Sequence, residues 1–314
     1  MTRAGLTSRI VVLALLVTAP AILDNYRTYL LTQILIFGLF AASLDVLLGY
    51  TGLASLGHAG YFGVGGYAAG LLAEHVTPNA FAQLGVALAA AAGVALLTGL
   101  FAVRSRGIYF LMLTLAFGEL LWVLALNWTS LTGGSNGIYG LPVATIAGNS
   151  TWLATTNHFY WYVLGAFVVG YVVLKTVVGS PFGRALGGIR GNEERMSSLG
   201  YDVTVTKLAV FTFAGAVAGY AGALACQQAK YFSPDEMSFG VSAVAVVVIV
   251  IGGQRTLIGA VLGAAFYYVI RDQLSGVLSS HWQLALGIVF VLVVYLLPGG
   301  LVAGGQRLRR AVGR

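Results

Sequence analysis

Apolar positions along this chain are grouped in runs of roughly 20 residues, and polar positions fall mainly in the short segments between them. A helix of about 20 apolar residues crosses the roughly 30 Å hydrocarbon core of a bilayer. The pattern therefore predicts an all-α polytopic membrane protein with about ten transmembrane helices in one domain, 1–314. The predicted spans are 10–23, 28–48, 59–74, 80–103, 108–127, 159–178, 207–229, 238–252, 256–275 and 282–300. The third and eighth are short for full crossings, so we expect short or broken helices there.

Composition supports the same class. The chain is 58% apolar and only 9% charged, whereas a soluble domain is typically about 25% charged. So few charges cannot cover a water-facing surface. The net charge of +7 is explained by Lys and Arg in cytoplasmic loops, so no nucleic-acid partner is expected.

The distribution of basic residues predicts the orientation. If both termini are cytoplasmic, 14 of the 17 Lys and Arg residues lie inside, as the positive-inside rule requires. The exceptions are Arg27, Lys230 and Arg271. Arg3 and Arg9 precede the first run, whose Ala19-Pro20-Ala21 imitates a signal-peptidase site. We interpret this run as an uncleaved first span.

Two long polar segments remain. The outer loop, 128–158, is rich in Gly, Ser, Thr and Asn, and the cytoplasmic loop, 179–206, carries most of its charges after Pro181 and Gly183. Its apolar residues recur at helix-like intervals and predict a short amphipathic helix; they are Leu186, Ile189, Met196 and Leu199. The alternative interpretation is a solvated charged loop.

Glycines in the apolar segments have two interpretations. Pairs four residues apart let helix backbones approach closely in lipid; they are Gly66/Gly70, Gly215/Gly219 and Gly259/Gly263. Residues 49–60 are too rich in glycine for a regular helix. Non-helical backbone at membrane depth is tolerated where protein or a watery cavity surrounds it, and transporters use such breaks at their cavities. Ser55, His58 and Tyr61 are therefore candidate lining groups, with His58 alternatively a neutral imidazole satisfied inside the bundle.

Glu119 is the most informative single residue, because it lies near the middle of a predicted span. An ionised carboxylate there costs roughly 3 kcal/mol even on lenient insertion scales. It is a candidate pathway residue, or else a protonated Glu bonded to a neighbouring helix. Asp45 lies closer to the cytoplasmic end of its span, where we expect it to reach water. Arg271 and Asp272 are expected at the outer membrane interface.

The sequence offers no catalytic constellation. The four histidines are scattered and no HExxH, CxxC or GxSxG occurs. A Walker A site is absent, since none of the three lysines follows a glycine. We expect no enzyme activity, no metal site and no cofactor bound by this chain.

Several stretches together resemble the membrane permease family of bacterial branched-chain amino acid ABC importers, of the LivM type. Residues 49–70 read GYTGLASLGHAGYFGVGGYAAG and are similar to that family's glycine-rich region. Further similar blocks follow in family order: RGIYFLMLTLAFGEL with Glu119 on the acidic position, TGGSNGIYGLP, SPFGRALGGIRGNEERMSSLGYDVTVTK and IGGQRTLIGAVLGAA. The blocks cover most of the chain from about 35 to 275. Departures include Arg255 for a usual glycine and Ala260 for a common proline.

The resemblance implies a transport subunit in the bacterial inner membrane, with ATP hydrolysis on partner ATPase subunits. Further implied partners are a second related permease, a periplasmic or lipid-anchored substrate-binding protein, and membrane lipid. It implies that loop 179–206 couples to the ATPase, through candidate residues Gly183, Arg184, Arg190, Glu193, Glu194 and Gly200. The substrate path would run beside the glycine-rich break and Glu119.

Other functions stay open at this point. Within the family, uptake of urea or short amides is an alternative to branched-chain amino acids. An ion-coupled secondary transporter, with Glu119 as the proton site, is an alternative of another class. A membrane-embedded enzyme is the third alternative, although the sequence contains no catalytic cluster that would support it.

Overall fold

Helices occupy the predicted apolar runs throughout the residues that this computed structural model describes, which are 16–20, 23–146, 152–277, 281–296 and 299–304. The main helices, numbered in chain order, are α1 Asn25–Asp45, α2 His58–His75, α3 Ala80–Ala102, α4 Ile108–Asn127, α5 Thr129–Thr132, α6 Thr156–Gly179, α7 Pro181–Gly191, α8 Glu193–Ser198, α9 Val203–Ala229, α10 Phe239–Gly252, α11 Leu257–Val277 and α12 Trp282–Leu296. A π-helix, Val46–Thr51, continues α1, and short 3-10 helices lie at Gly134–Asn136 and Pro234–Met237.

Six helical segments in the described ranges are long and apolar enough to cross a membrane, which confirms a multi-pass membrane protein. They are Asn25–Thr51, Ala80–Ala102, Ile108–Asn127, Thr156–Gly179, Val203–Ala229 and Leu257–Val277. The count of about ten spans and the cytoplasmic termini stay predictions. The predicted first span, 10–23, lies largely outside the described residues, with only 16–20 described and helical.

The third and eighth predicted spans are not broken internally. Both α2 and α10 are continuous helices, of 18 and 14 residues. The glycines of α2 serve packing instead, since a Cβ on Gly65 would lie 2.1 Å from the carbonyl oxygen of Gly219. Of the two predicted alternatives, short or broken, neither helix is broken and α10 is short. The non-helical segment lies just before α2.

The core forms around α1 and α9. Within the most apolar 18-residue stretch of each helix, 83% of the residues are buried in the α1 segment and 67% in α9. The same fraction is only 28–33% in α3, α4, α6 and α11. The last four thus present broad faces outside this chain. Gly215 and Gly219 of α9 face Ala95 and Ala91 of α3, with no space for larger side chains. This confirms the predicted use of that glycine pair in close helix packing.

Local sequence signals explain several helix starts. Side-chain oxygens of four residues accept hydrogen bonds from free N–H groups in the first turns of α3, α7, α8 and α9, as N-caps do; they are Asn79, Ser180, Asn192 and Asp202. Pro181 follows its cap at the first position of α7, where a missing N–H costs nothing.

A small two-stranded sheet holds the predicted outer loop on the helix ends. Strand β1, Ile138–Tyr139, pairs antiparallel with β2, Tyr231–Phe232, directly after α9. Thr145 adds a second tie, because its carbonyl oxygen accepts the N–H of Ala80 at 2.8 Å. The described part of the outer loop is therefore packed on the bundle through its backbone.

Candidate functional site

The glycine-rich break is an ordered segment enclosed by protein. The π-helix ends at Thr51 and is followed by Gly52, whose φ of 81° lies in the left-handed region that favours glycine. Residues 53–57 are non-helical, and α2 begins at His58. A Cβ on Gly57 would lie 1.9 Å from the carbonyl oxygen of Thr114 on α4. The predicted non-helical backbone is thus present, surrounded by helices as its depth requires.

Asp45 does not reach water, so the expectation for it is wrong. It is fully buried one helical turn before Gly49. Its Oδ1 accepts the backbone N–H of Arg255 at 3.1 Å, while Oδ2 has no partner in the described part of the chain. The reason is tertiary: the α10–α11 loop covers the end of α1. The signal available in the sequence was an acid inside an apolar run.

Arg255 holds this loop on the break in two ways. Besides its N–H to Asp45, its carbonyl oxygen accepts the Tyr50 hydroxyl at 2.7 Å. Its φ is 63°, a conformation that an L-residue adopts at a cost of roughly 1–2 kcal/mol. This explains why glycine is usual at the position in the similar family pattern, and the two hydrogen bonds stabilise the arginine there.

Loop 179–206 reaches the same break through α7. Leu186 and Ile189 are buried, and α7 packs on the π-helix. A Cβ placed on Gly52 would lie 3.0 Å from Arg190 Cγ. The predicted coupling loop, the break and the α10–α11 loop therefore meet at one end of the bundle.

Ser55 and His58 lie inside the protein. Both side chains are fully buried. The Nε2 of His58 is 2.9 Å from Ser43 Oγ, and its ring stacks on Phe40. His58 Nδ1 and Ser55 Oγ have no hydrogen-bond partner among the described residues. These two groups are the unsatisfied polar atoms of the break, and a pathway role for them stays a prediction.

Tyr61 and Glu119 occupy different environments. Tyr61 is buried, its hydroxyl lies 2.7 Å from Thr98 Oγ1, and its ring meets Phe211 edge-on. It belongs to the α2–α3–α9 core in this conformation. Glu119 is half-buried on α4, next to Gly118, which contacts Gly57 of the break. It has no hydrogen bond or salt bridge within the described ranges, so the structure brings Glu119 near the break but not onto Ser55 or His58.

Loop 179–206 forms two helices, α7 and α8, where one was predicted. An extended Asn192 ends α7 and caps α8, so the apolar residues do not share one helix face. Met196 is half-buried, and Leu199 is 67% exposed. The prediction of a single amphipathic helix ending with Leu199 on its apolar face is wrong for this reason.

Glu193 fastens this loop to the bundle. Its carboxylate forms salt bridges with Arg106, at 3.1 Å, and with Lys207 at the start of α9. The Lys207 side chain is only 2% exposed. Sequence reasoning selected Glu193 but missed Lys207, because nothing local distinguishes a lysine whose partner lies on another element.

The other candidate coupling residues are spread over the loop. Arg184, Arg190 and Glu194 are exposed. Gly183 is buried against the carbonyl group of Val178, and Gly200 has a φ of 88° just before α9. The structure thus places Gly183 and Gly200 at bends and the charged residues on the loop surface.

Comparison with known proteins decides the family. Residues 26–297 match the family model described as "Branched-chain amino acid transport system / permease component". This chain belongs to that permease family. The match spans the break, both loops and the helices α1 to α12, so the geometry above is that of a transport permease.

Individual relatives give the same result. The permease is 30% identical to the LivM high-affinity branched-chain amino acid transport permease of Salmonella typhimurium, over 94% of this chain and 75% of that protein. It is likewise 30% identical to LivM of Escherichia coli, over 93% and 74%. The ribose import permease RbsC of Bacillus subtilis is 30% identical over 42% of each chain. No solved structure gives a significant match.

Proposed function

We propose that this permease is the membrane-spanning subunit of an ATP-binding-cassette importer that carries branched-chain or related amino acids delivered by a soluble binding protein. Its relatives named LivM serve branched-chain amino acid transport. The observation that carries the mechanism is the contact between Arg190 of α7 and Gly52 of the break. A loop at the membrane surface is thereby connected directly to the non-helical segment inside the bundle.

The proposed sequence of events follows these contacts. Closure of the partner ATPase subunits moves α7, which is a rigid unit because Leu186 and Ile189 anchor it in the core. Arg190 transmits the movement to the break. Asp45 and Tyr50 pass it to the α10–α11 loop through their hydrogen bonds to Arg255. The break then alternates access to the path, with Ser55, His58 and Glu119 as candidate lining groups and Tyr61 as core in the present conformation.

Exposed apolar groups at the coupling end suit an ATPase partner. Leu199 is 67%, Tyr201 48% and Val205 60% exposed, close to the charged residues of α8. Because large apolar side chains clustered on an aqueous surface mark interaction sites, we assign this patch to the ATPase. In the proposed orientation the termini and this end are cytoplasmic, and the outer loop faces the binding protein in the periplasm. The second permease covers one of the broad outer helix faces.

The experiment is reconstitution of the complex in proteoliposomes, after affinity purification identifies the ATPase and second permease that stay bound. ATP-dependent uptake of leucine is expected. Urea and short amides are tested in parallel, because they are the alternative substrates within the family. Arg190→Ala should retain ATPase activity but lose most uptake. Lys175→Ala, which changes an exposed cation on α6 outside loop 179–206, should behave like wild type. Gradient-driven activity of the purified chain alone, without ATP, would instead establish a secondary transporter.

A further inference from the structure

A cavity lies at the end of the bundle opposite to loop 179–206. It has a volume of about 540 Å³ and opens between α1, α9, α11, α12 and residues 231–244. Helix α9 relates the two ends, because it begins at Val203 beside α8 and contributes Gln228, near its last turn, to the cavity. Its 27 residues span about 40 Å. If α7 and α8 are cytoplasmic, this cavity faces the side from which substrate arrives.

Two opposite charges line this cavity. Glu236 comes from the 3-10 helix Pro234–Met237, and Arg271 comes from α11. No salt bridge joins them within the part of the chain that the structure describes. Glu236 is exposed, yet surrounding protein atoms desolvate it enough to raise its pKa, which Arg271 partly counteracts. Both charges are therefore available to a ligand.

Aromatic side chains form the wall next to the guanidinium. The Cζ of Arg271 lies 5.6 Å from the ring centre of Trp282 and 6.0 Å from that of Tyr268. Phe37 stacks on Tyr267 behind them. These rings hold Arg271 over the cavity by cation–π attraction and offer an apolar surface beside both charges.

The base of the cavity leads towards the break. Phe62 of α2 lines the cavity and packs on Phe40, with ring centres 4.9 Å apart. Phe40 in turn stacks on His58, the first residue of α2. Two aromatic rings thus separate the cavity from the imidazole of His58.

We propose that this cavity binds an α-amino-acid zwitterion with an apolar side chain, its carboxylate at Arg271, its ammonium group at Glu236 and its side chain on the aromatic wall. A simple anion would meet Glu236, and a simple cation would meet Arg271. A neutral amide or sugar would leave both charges without an ionic partner. The assignment deepens the proposed function and rests on it for the direction of transport.

Binding is tested on the assembled permease–ATPase complex in nanodiscs, without ATP or binding protein, by the change in tryptophan fluorescence. The probes are L-leucine, isopentylamine, which lacks the carboxylate, and 4-methylpentanoate, which lacks the ammonium group. Leucine should bind at least about tenfold more tightly than either analogue, because each loses a charge-assisted hydrogen bond. Trp282→Phe should reduce the fluorescence change and identify the cavity as its source.

Charge-neutral variants assign each end of the ligand. Arg271→Gln should weaken leucine about tenfold or more without weakening isopentylamine. Glu236→Gln should do the same to leucine without weakening 4-methylpentanoate. Asp235→Asn is the matched control, since this neighbouring carboxylate does not line the cavity. Co-elution of all subunits in size-exclusion chromatography reports correct folding of each variant.

The outcomes separate this inference from the proposed function. Equal binding of leucine and its analogues, or wild-type binding by correctly assembled Arg271→Gln and Glu236→Gln complexes, would overturn the cavity assignment even if ATP-driven leucine uptake proceeds. Charge-selective leucine binding without any ATP-dependent uptake would uphold the cavity and overturn the importer function.

Discussion

The two ends of this bundle differ in whether their opposite charges are paired in salt bridges. At the end formed by α7 and α8, the carboxylate of Glu193 forms salt bridges with both Arg106 and Lys207. In the cavity at the other end, Glu236 and Arg271 line the same space without a salt bridge between them. Paired charges fasten one element to another, whereas opposite charges kept apart are available to a third group. The difference is what the two proposals require: an end held by salt bridges for coupling, and an end whose charges remain open to a ligand.

The largest expected effect comes from disrupting the close packing of α2 on α9, the helix that runs between the two ends. A Cβ on Gly222 would lie 1.9 Å from the carbonyl oxygen of Phe62. Gly222→Val should therefore push α2 and α9 apart and prevent assembly. The expected loss of folding free energy exceeds the roughly 1–3 kcal/mol that is typical of overpacking a single site. Fluorescence-detected size-exclusion chromatography measures the folded fraction. Gly165→Val is the control, because nothing lies within 4 Å of a Cβ there. Normal assembly of Gly222→Val would contradict the packing.

Removing the salt bridges of Glu193 should have the next largest effect. Glu193→Gln leaves Lys207, which is 2% exposed, without a carboxylate. Breaking a buried pair costs about 3–5 kcal/mol, and the 23% exposure of Glu193 places the expected loss at the lower end. Thermal unfolding of the purified complex measures it.

Two further variants isolate the effect of these salt bridges. Glu194→Gln should melt like wild type, because Glu194 is exposed and has no salt bridge in the described chain. Adding Lys207→Met to Glu193→Gln should recover stability by removing the unpaired buried charge. A melting temperature of Glu193→Gln equal to that of wild type would show that the salt bridges do not brace the loop.

A smaller effect is expected where the break meets the α10–α11 loop. Asp45→Leu removes the acceptor for the Arg255 N–H, and a buried donor left unsatisfied costs about 1–3 kcal/mol. Asp45→Asn keeps an oxygen acceptor and loses only the charge, so it should retain most stability and uptake. Unfolding and uptake assays compare the two. Equal behaviour of both variants would mean that the hydrogen bond does not hold the loop.

The smallest effect is expected at Glu119, midway between the ends. It makes no hydrogen bond among the described residues, so Glu119→Ala should leave folding intact. Uptake should fall two- to tenfold, about the size of one polar contact of 0.5–1.5 kcal/mol with a passing substrate. Initial rates in proteoliposomes measure it, with Glu74→Ala, an exposed acid at the end of α2, as the control. Unchanged uptake would remove Glu119 from the pathway.

The sequence by itself determined the class of protein and most helix positions. The helical state of an apolar run of membrane length can be predicted without tertiary information. Its backbone N–H and C=O groups find no water in lipid, so they must bond to each other within a helix. The same is true of the break, whose glycines cannot sustain a regular helix before His58. The order of the family-like blocks likewise predicted the family that the comparison established.

Only the tertiary structure decided which polar groups meet. Asp45 and Arg255 are separated by 210 positions, and no periodicity relates them. Lys207 and Glu193 are closer in sequence, but their pairing depends on the turn at Asn192 and on the direction in which α9 starts. The cavity depends on four helix ends and one loop converging, so Glu236 and Arg271 carry no joint signal along the chain. Helices follow from local composition, whereas sites follow from packing between distant segments, where burial alone determines whether a charge is paired or left for a ligand.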